Sequence, residues 1–272
     1  PTLMYVLDGE QRKGAEIVTV PSDDGISVPT ERLLEAIDER TRLVPISHAL
    51  FRSGWLQDAR RIAARCREVG ALMLLDVYQS AGAVPIELAE WGVDAAVGGS
   101  VKWLCGGPGA GYLWVAPHLL ETLQPTVTGW MADEEPFAFR PGPVRYAASP
   151  WRLLNGTPNI PALHACRAGY RIIGEVGVER IRQRSLSLTR GLIERADAEG
   201  LEVRTPRDDL HRAGAVTLWH PQAERLGQQL LEREVICDYR PGAGIRLSPH
   251  FYNSAEECES AVSTLAELAR GV

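Results

Sequence analysis

Along the first half of the chain, short apolar runs alternate with segments whose apolar residues recur every three or four positions. That alternation predicts strands interleaved with helices. Glu16 to Pro21 is a β-branched alternating run and reads as a strand, followed by a turn at Ser22-Asp23-Asp24-Gly25. Thr30 is expected to cap a helix reaching about Asp38, with Glu31 and Glu35 toward its start. Leu43 to Ser47 predicts a short strand. Asp58 to Val69 has helical periodicity and stops at Gly70, a residue suited to a left-handed C-cap. Ala71 to Asp76 is an uninterrupted apolar run ending in a carboxylate, the pattern of a parallel strand covered on both faces. Val93 to Val97 and Gly111 to Val115 predict two more strands, on either side of a glycine-rich loop. The expected fold is α/β, a largely parallel sheet with helices on both faces, in which ligands collect at the strand C-termini.

From about Thr126 to Thr157 the periodicity dissolves into a Pro, Gly and aromatic-rich stretch, too long for an idle connection. Helical patterns resume over Ile160 to Ile173 and Val178 to Glu199, the second closed by Gly200. The remaining C-terminal segments read β-β-α-β-β-α: Leu201–Arg204, Ala215–Trp219, Gln222–Arg233, Val235–Tyr239, Gly244–Ser248 and Ser254–Ala269. This is the pattern of a small α+β domain. The boundary is expected near residues 158–178, giving a large domain over 1–165 and a small one over 166–272.

The net charge of -6 gives no electrostatic reason to expect nucleic acid, and no apolar run is long enough for a membrane span. Cys66, Cys105, Cys166, Cys237 and Cys258 are scattered and never paired as C-x-x-C. They read as buried or partly buried reduced thiols of a cytoplasmic protein, with no zinc site.

Lys13 and Lys102 are the only lysines among 29 Lys and Arg residues, and Lys102 stands in the apolar, glycine-rich Gly98-Gly99-Ser100-Val101-Lys102-Trp103. A chain so rich in Arg needs no Lys merely for charge. A guanidinium stays protonated, whereas a desolvated amine loses its proton and attacks carbonyls. Parallel strands would bring Asp76 and Lys102 to one sheet edge, with Gln79 and Ser100 beside them. The set suits a pyridoxal 5'-phosphate site. Lys supplies a Schiff base, Asp keeps the pyridinium nitrogen protonated, an amide donates to the ring hydroxyl and a hydroxyl holds phosphate.

The stretch LLDVYQSAGAVPIELAEWGVDAAVGGSVKWLCGGPGAGYLWV resembles the cofactor-binding core of fold-type-I pyridoxal phosphate enzymes of the class V aminotransferase group, and is most similar to kynureninase-like proteins. Ser47-His48 with Arg52-Ser53-Gly54, then Gly129-Trp130, Asn155-Gly156-Thr157-Pro158 and Gly244 to Ser254, extend the likeness over nearly the whole chain. The resemblance implies a Schiff base on Lys102, Asp76 on the pyridinium nitrogen, Gln79 on the phenolic oxygen, and Ser47 and Ser100 touching the cofactor, Ser100 on its phosphate. It implies that Trp130 and Thr157 reach a cofactor held mainly by another subunit, hence a homodimer with shared sites. Arg246 would clamp the α-carboxylate of an amino-acid substrate. Two departures bear on the reaction: Gln79 stands where kynureninases carry His, and Val101 where they carry Tyr. Amino transfer and kynureninase-like hydrolysis of a Cβ–Cγ bond both remain open. Desulfurase-type elimination ranks lower, and a cofactor-free dimeric scaffold, or an α/β enzyme of another kind with a mere turn at Gly106–Gly111, is the alternative outside the family. Pro1-Thr2 resembles the end of a later active-site strand. On that reading the sequence is the C-terminal or ordered portion of a longer protein, and the N-terminal part of the family fold is missing.

Other candidates read as structural. Cys105 is expected to be a packed thiol, Trp103 and Trp151 packing residues, and His118, His164, His211 and His220 surface or cap residues. His48 is divided between stacking on the cofactor and a structural role. His250 and Tyr252 lie within the Arg246 motif.

Overall fold

The computed structural model describes residues 2–272. Its first layer opens with α1 (Thr2–Gln11) and α2 (Thr30–Ala36), followed by β1 (Leu43–Ser47), α3 (Ala59–Val69), β2 (Leu72–Asp76), α4 (Leu88–Trp91), β3 (Ala95–Gly99), β4 (Gly111–Val115) and α5 (Pro117–Leu120). The strands form one sheet in the order β1-β2-β3-β4. β1, β2 and β3 run parallel and β4 returns antiparallel. The register sets Ser47 opposite Asp76 and Asp76 opposite Val97, so three strands end at one edge.

Local chemistry explains the boundaries. The Asp58 carboxylate accepts the Arg61 amide, and Gly70 takes a left-handed conformation, so α3 is capped at both ends. Ile62, Ala63 and Cys66 of α3 pack on Met73 and Leu75 of β2 in the first core. Besides α5, residues 116–159 carry short 3-10 turns at Trp130–Ala132, Pro136–Ala138 and Pro150–Leu153 and an isolated antiparallel bridge between Asp133 and Tyr146.

The second layer comprises α6 (Ile160–Val176), α7 (Val178–Ala198), β5 (Glu202–Val203), β6 (Val216–Trp219), α8 (Ala223–Glu232), β7 (Asp238–Arg240), β8 (Gly244–Leu247) and α9 (Ala255–Arg270). Its antiparallel sheet has the order β5-β6-β8-β7. Leu188 and Leu192 of α7, Leu226 and Leu230 of α8, and Val262 and Leu265 of α9 pack on Leu218 and Ile245. Ser254 and Glu257 form a reciprocal capping box at the start of α9.

Three expectations are corrected. Glu16–Pro21 forms no strand and belongs to neither sheet, because its alternation finds no neighbouring strand to pair with. Thr2 begins a helix rather than ending a strand, and Pro1 lies outside the described residues. Thr30 is the first helical residue; the cap position belongs to Pro29, whose fixed φ of -56° leads into the helix without a side-chain hydrogen bond. Among the described residues no helix is long and apolar enough to cross a membrane.

Candidate active site

Lys102 lies three residues beyond β3, in a loop pinned on several sides. The Ser100 amide donates to Ala110 O at 2.9 Å, and Ser100 O accepts from the Gly106 amide at 2.7 Å. Behind the loop, His250 donates from Nε2 to the Trp103 carbonyl at 2.8 Å. Burial lowers the His250 pKa, which keeps the ring neutral. Gly169 of α6 lies so close to the loop that an added Cβ would sit 2.5 Å from the Leu104 carbonyl oxygen. Only a residue without a side chain lets helix and loop backbones approach so closely.

The Lys102 side chain projects from this platform to the surface, with its Nζ 4.7 Å from the centre of the Tyr78 ring. Tyr78 in turn lies on Gly99, where a Cβ would come within 2.5 Å of the ring. Partial desolvation of the amine lowers its pKa, and the cations of Arg246 and Arg240 push the same way. The carboxylates of Asp76 and Asp238 oppose that shift. The edge therefore gathers an amine with a lowered pKa, a carboxylate at the end of β2 and two guanidiniums from the second sheet.

Asp76 accepts the Tyr78 amide on Oδ1 at 2.8 Å, which leaves Oδ2 for another donor. Ser47 ends β1 beside it, and Gln79 is partly buried three residues further on. Ser100 is fully buried, and its hydroxyl bonds the Tyr170 hydroxyl at 2.7 Å. Tyr112 packs against Gly98, and burial raises its phenol to about 12, with Tyr170, Asp76 and Tyr78 adding to the effect. Arg246 on β8 donates from Nη1 to Phe51 O and from Nη2 to Asp238 Oδ2, both at 2.6 Å. Trp130 and Thr157 are exposed, and the Trp130 ring packs with Phe137 and Phe139. The structure thus gathers Lys102, Asp76 and Arg246, sets Ser47 at the same strand edge, and leaves Trp130 and Thr157 on the outside.

Sequence reasoning did not pick out Tyr78, Asp238, Arg240 and Tyr170. Asp238 and Arg240 alternate in an extended segment just before the Arg246 motif, a two-residue spacing that puts both on one face. That spacing was the available signal. Tyr78 and Tyr170 join the site through tertiary packing and leave no pattern along the chain.

Cys105 is exposed, contrary to the expectation of a packed thiol, because the loop turns outward there with a left-handed φ of 52°. Partial burial of its thiol still raises the pKa, which disfavours the nucleophilic thiolate. His48 lies in the interior, bonded to Ser80 at 2.9 Å and edge-on to Trp91. Burial lowers its pKa to about 4, with the Arg182 cation adding to the effect. Among the described residues no group of His, Cys, Asp and Glu could hold a metal ion.

The sequence profile of "Aminotransferase class-V" matches residues 2–259. The chain belongs to the class-V aminotransferase family. An uncharacterized aminotransferase of Bacillus subtilis (strain 168) is 32% identical over 250 residues, covering 92% of this chain and 65% of that protein. Kynureninase of Pseudomonas fluorescens is 32% identical over 281 residues, covering 98% of this chain and 65% of its own length. The chain therefore spans about two-thirds of the length of these class-V relatives, at 65%. Among solved structures, the apo cysteine desulfurase of Thermococcus onnurineus NA1 superposes with a TM-score of 0.89 at 22% identity, covering 100% of this chain and 70% of that one. The alanine–glyoxylate aminotransferase of Nostoc sp. gives 0.76 at 25% identity, with coverages of 96% and 71%. These likenesses bear out the fold class expected from the sequence.

Proposed function

We propose that this class-V chain carries the pyridoxal-phosphate-binding lysine of an enzyme acting on α-amino acids, with amino transfer as its reaction. The observation that carries the reading is the Lys102 amine, with its lowered pKa, set at one edge with Asp76 and faced by Arg246. The residues fit the group: an amine whose pKa is lowered suits an aldehyde, a carboxylate with one oxygen to spare suits a ring nitrogen, and a guanidinium suits a carboxylate. When bound, the cofactor would supply an electron sink for the pair of electrons left at the substrate Cα.

The remaining work falls to the chain's own side chains. Lys102 would hold the cofactor through its aldehyde and, with a substrate amino acid in place, would be the base positioned to take the Cα proton. Asp76 holds the ring nitrogen protonated through its spare oxygen, and Gln79 donates to the phenolic oxygen. Ser47 and Ser100 contact the cofactor, with Tyr170 fixing the Ser100 hydroxyl. Arg246 clamps the α-carboxylate with the N–H groups not given to Phe51 and Asp238. Trp130 and Thr157, exposed in one subunit, serve the site of a second in a homodimer, and residues 1–165 and 166–272 form the two domains. The unpaired cysteines suit a reducing compartment, the cytoplasm.

Kynureninase-like hydrolysis is the second reading, favoured by the 32% identity to the Pseudomonas fluorescens enzyme. Gln79 and Val101 weigh against it. Elimination of sulfur ranks lower, since partial burial raises the pKa of the Cys105 thiol and disfavours its thiolate.

The test is borohydride reduction of the full-length protein with pyridoxal phosphate, followed by peptide mass analysis. A phosphopyridoxyl group is expected on Lys102 and not on Lys13; its absence from Lys102 overturns the reading. Product analysis with kynurenine, with cysteine, and with an amino acid plus a keto acid then separates the three reactions.

A further inference from the structure

Around Phe51, three guanidiniums gather beside one carboxylate, which bonds two of them. In the β7–β8 register Asp238 lies opposite Arg246, and its Oδ2 accepts from both Arg246 and Arg240 at 2.6 Å. The Arg240 and Arg52 guanidinium carbons each lie 5.9 Å from the centre of the Phe51 ring. Arg52 Nη1 also reaches the turn at Gly242, where an added Cβ would be 3.9 Å away. Among the described residues the Arg52 guanidinium forms no hydrogen bond or ion pair. The Arg246 side chain is nine-tenths buried, and its Nε has no partner; the buried Nε of Arg240 is likewise unpartnered.

This local excess of positive charge runs against a chain whose net charge is -6. Other carboxylates also serve one arginine or two, as Glu31 does with Arg61 and Glu199 with Arg195 and Arg270; here a third guanidinium, Arg52, stands beside the pair without a carboxylate of its own. Clustered guanidiniums repel one another unless anions stand between them, and their fork geometry matches carboxylates. The cluster also borders the reacting amine, since both Arg246 and Arg240 depress the Lys102 pKa. One guanidinium suffices for an α-carboxylate. Arg240, more than a third exposed, and Arg52, exposed beside it, remain for a second anionic group.

We propose that Arg240 and Arg52 form a second anion subsite beside Arg246, which selects amino acids or keto acids bearing an additional carboxylate on the side chain. The inference rests on the amino-acid reading above. In it Arg246 takes the α-carboxylate, while Asp238 spaces the two cationic groups and keeps them from spreading apart.

The test compares glutarate with pentanoate, acids of equal chain length with two carboxylates and one, by calorimetric titration of the full-length protein loaded with pyridoxal phosphate. Glutarate is expected to bind at least tenfold more tightly. Arg240→Met should weaken glutarate at least fivefold and leave pentanoate within twofold, with Arg52→Gln acting in the same direction. Arg246→Lys should weaken both acids. Equal binding of the two acids overturns the proposal, as does an equal loss of both in Arg240→Met, which would make Arg240 a brace for Arg246. Should Arg240→Met fail to fold, Arg52→Gln decides alone, because its guanidinium carries no structural bond. Borohydride trapping on the same samples separates this inference from its parent. An adduct on Lys102 without diacid preference overturns the subsite only, whereas diacid preference without an adduct overturns the cofactor assignment.

Discussion

Gly169→Ala sets two effects of opposite sign against each other on the helix beneath the Lys102 loop. In an open helix interior the change from Gly to Ala stabilises by about 0.5–1 kcal/mol, because the unfolded chain loses backbone freedom. Gly174 of the same helix and Gly191 of α7 have no atom within 4 Å of an added Cβ, so both should show that gain. At Gly169 the new methyl would lie 2.5 Å from the Leu104 carbonyl oxygen and closer still to that of Cys105. Both obstacles are backbone, and neither can rotate away. Overpacking of this kind costs about 1–3 kcal/mol, and shifting the loop also endangers the Ser100–Tyr170 hydrogen bond, worth about 1 kcal/mol. The clash wins: Gly169→Ala should be less stable than the parent by about 1–2 kcal/mol, and roughly 2–3 kcal/mol below Gly174→Ala. Urea unfolding of the three proteins, followed by tryptophan fluorescence, measures the difference. If Gly169→Ala gains stability as Gly174→Ala does, the helix does not restrain the loop, and the account of how Lys102 is held fails.

The charges and caps set further expected outcomes. Lys102 should react with an amine reagent with a pH midpoint below the ordinary lysine value of 10.5. Asp76→Asn should move that midpoint further down and Arg246→Met should move it up; a reversed order would refute the electrostatic picture. His48, with its pKa lowered from 6.5 to about 4, takes up fewer protons folded than unfolded, so its contribution is lost as pH falls through that window. Urea midpoints should drop between pH 6.5 and 4 by the equivalent of about 3 kcal/mol from this group, and His48→Gln should flatten the drop. Asp58→Ala removes the cap on Arg61 N and should cost about 1 kcal/mol in the same assay.

What the sequence made legible was local. Asp58 and Gly70 mark the two ends of α3 because capping is decided by neighbouring residues. The apolar run ending at Asp76 identifies β2, although only Met73 and Leu75 are buried while Leu72 is exposed and Leu74 half-buried, so the expected cover on both faces is met on one. Lys102 and Asp76 could be placed together because parallel strands end at a common edge. The failures were non-local. Glu16–Pro21 alternates as a strand should, yet a strand exists only with a partner to bond, and none reaches it. The third strand starts at Ala95 rather than Val93, because Asp94 spends its carboxylate on the Met73 amide and so belongs to the strand's approach. The salt-bridged triangle of Asp238, Arg240 and Arg246 depends on a hairpin register that no single segment encodes.

The turn after β1 is stitched to the second layer at several points. The Leu56 amide donates to His211 O, the Ala213 amide to Gly54 O, the Thr217 hydroxyl to Arg52 O, and Arg246 to Phe51 O. Hinge motion of one layer against the other would tear these rivets one by one, exposing peptide groups that have no alternative mates. These bonds tie the turn that carries Phe51 and Arg52 to the sheet that carries Arg246, so the residues of the two layers that face the Lys102 amine are held in register with one another.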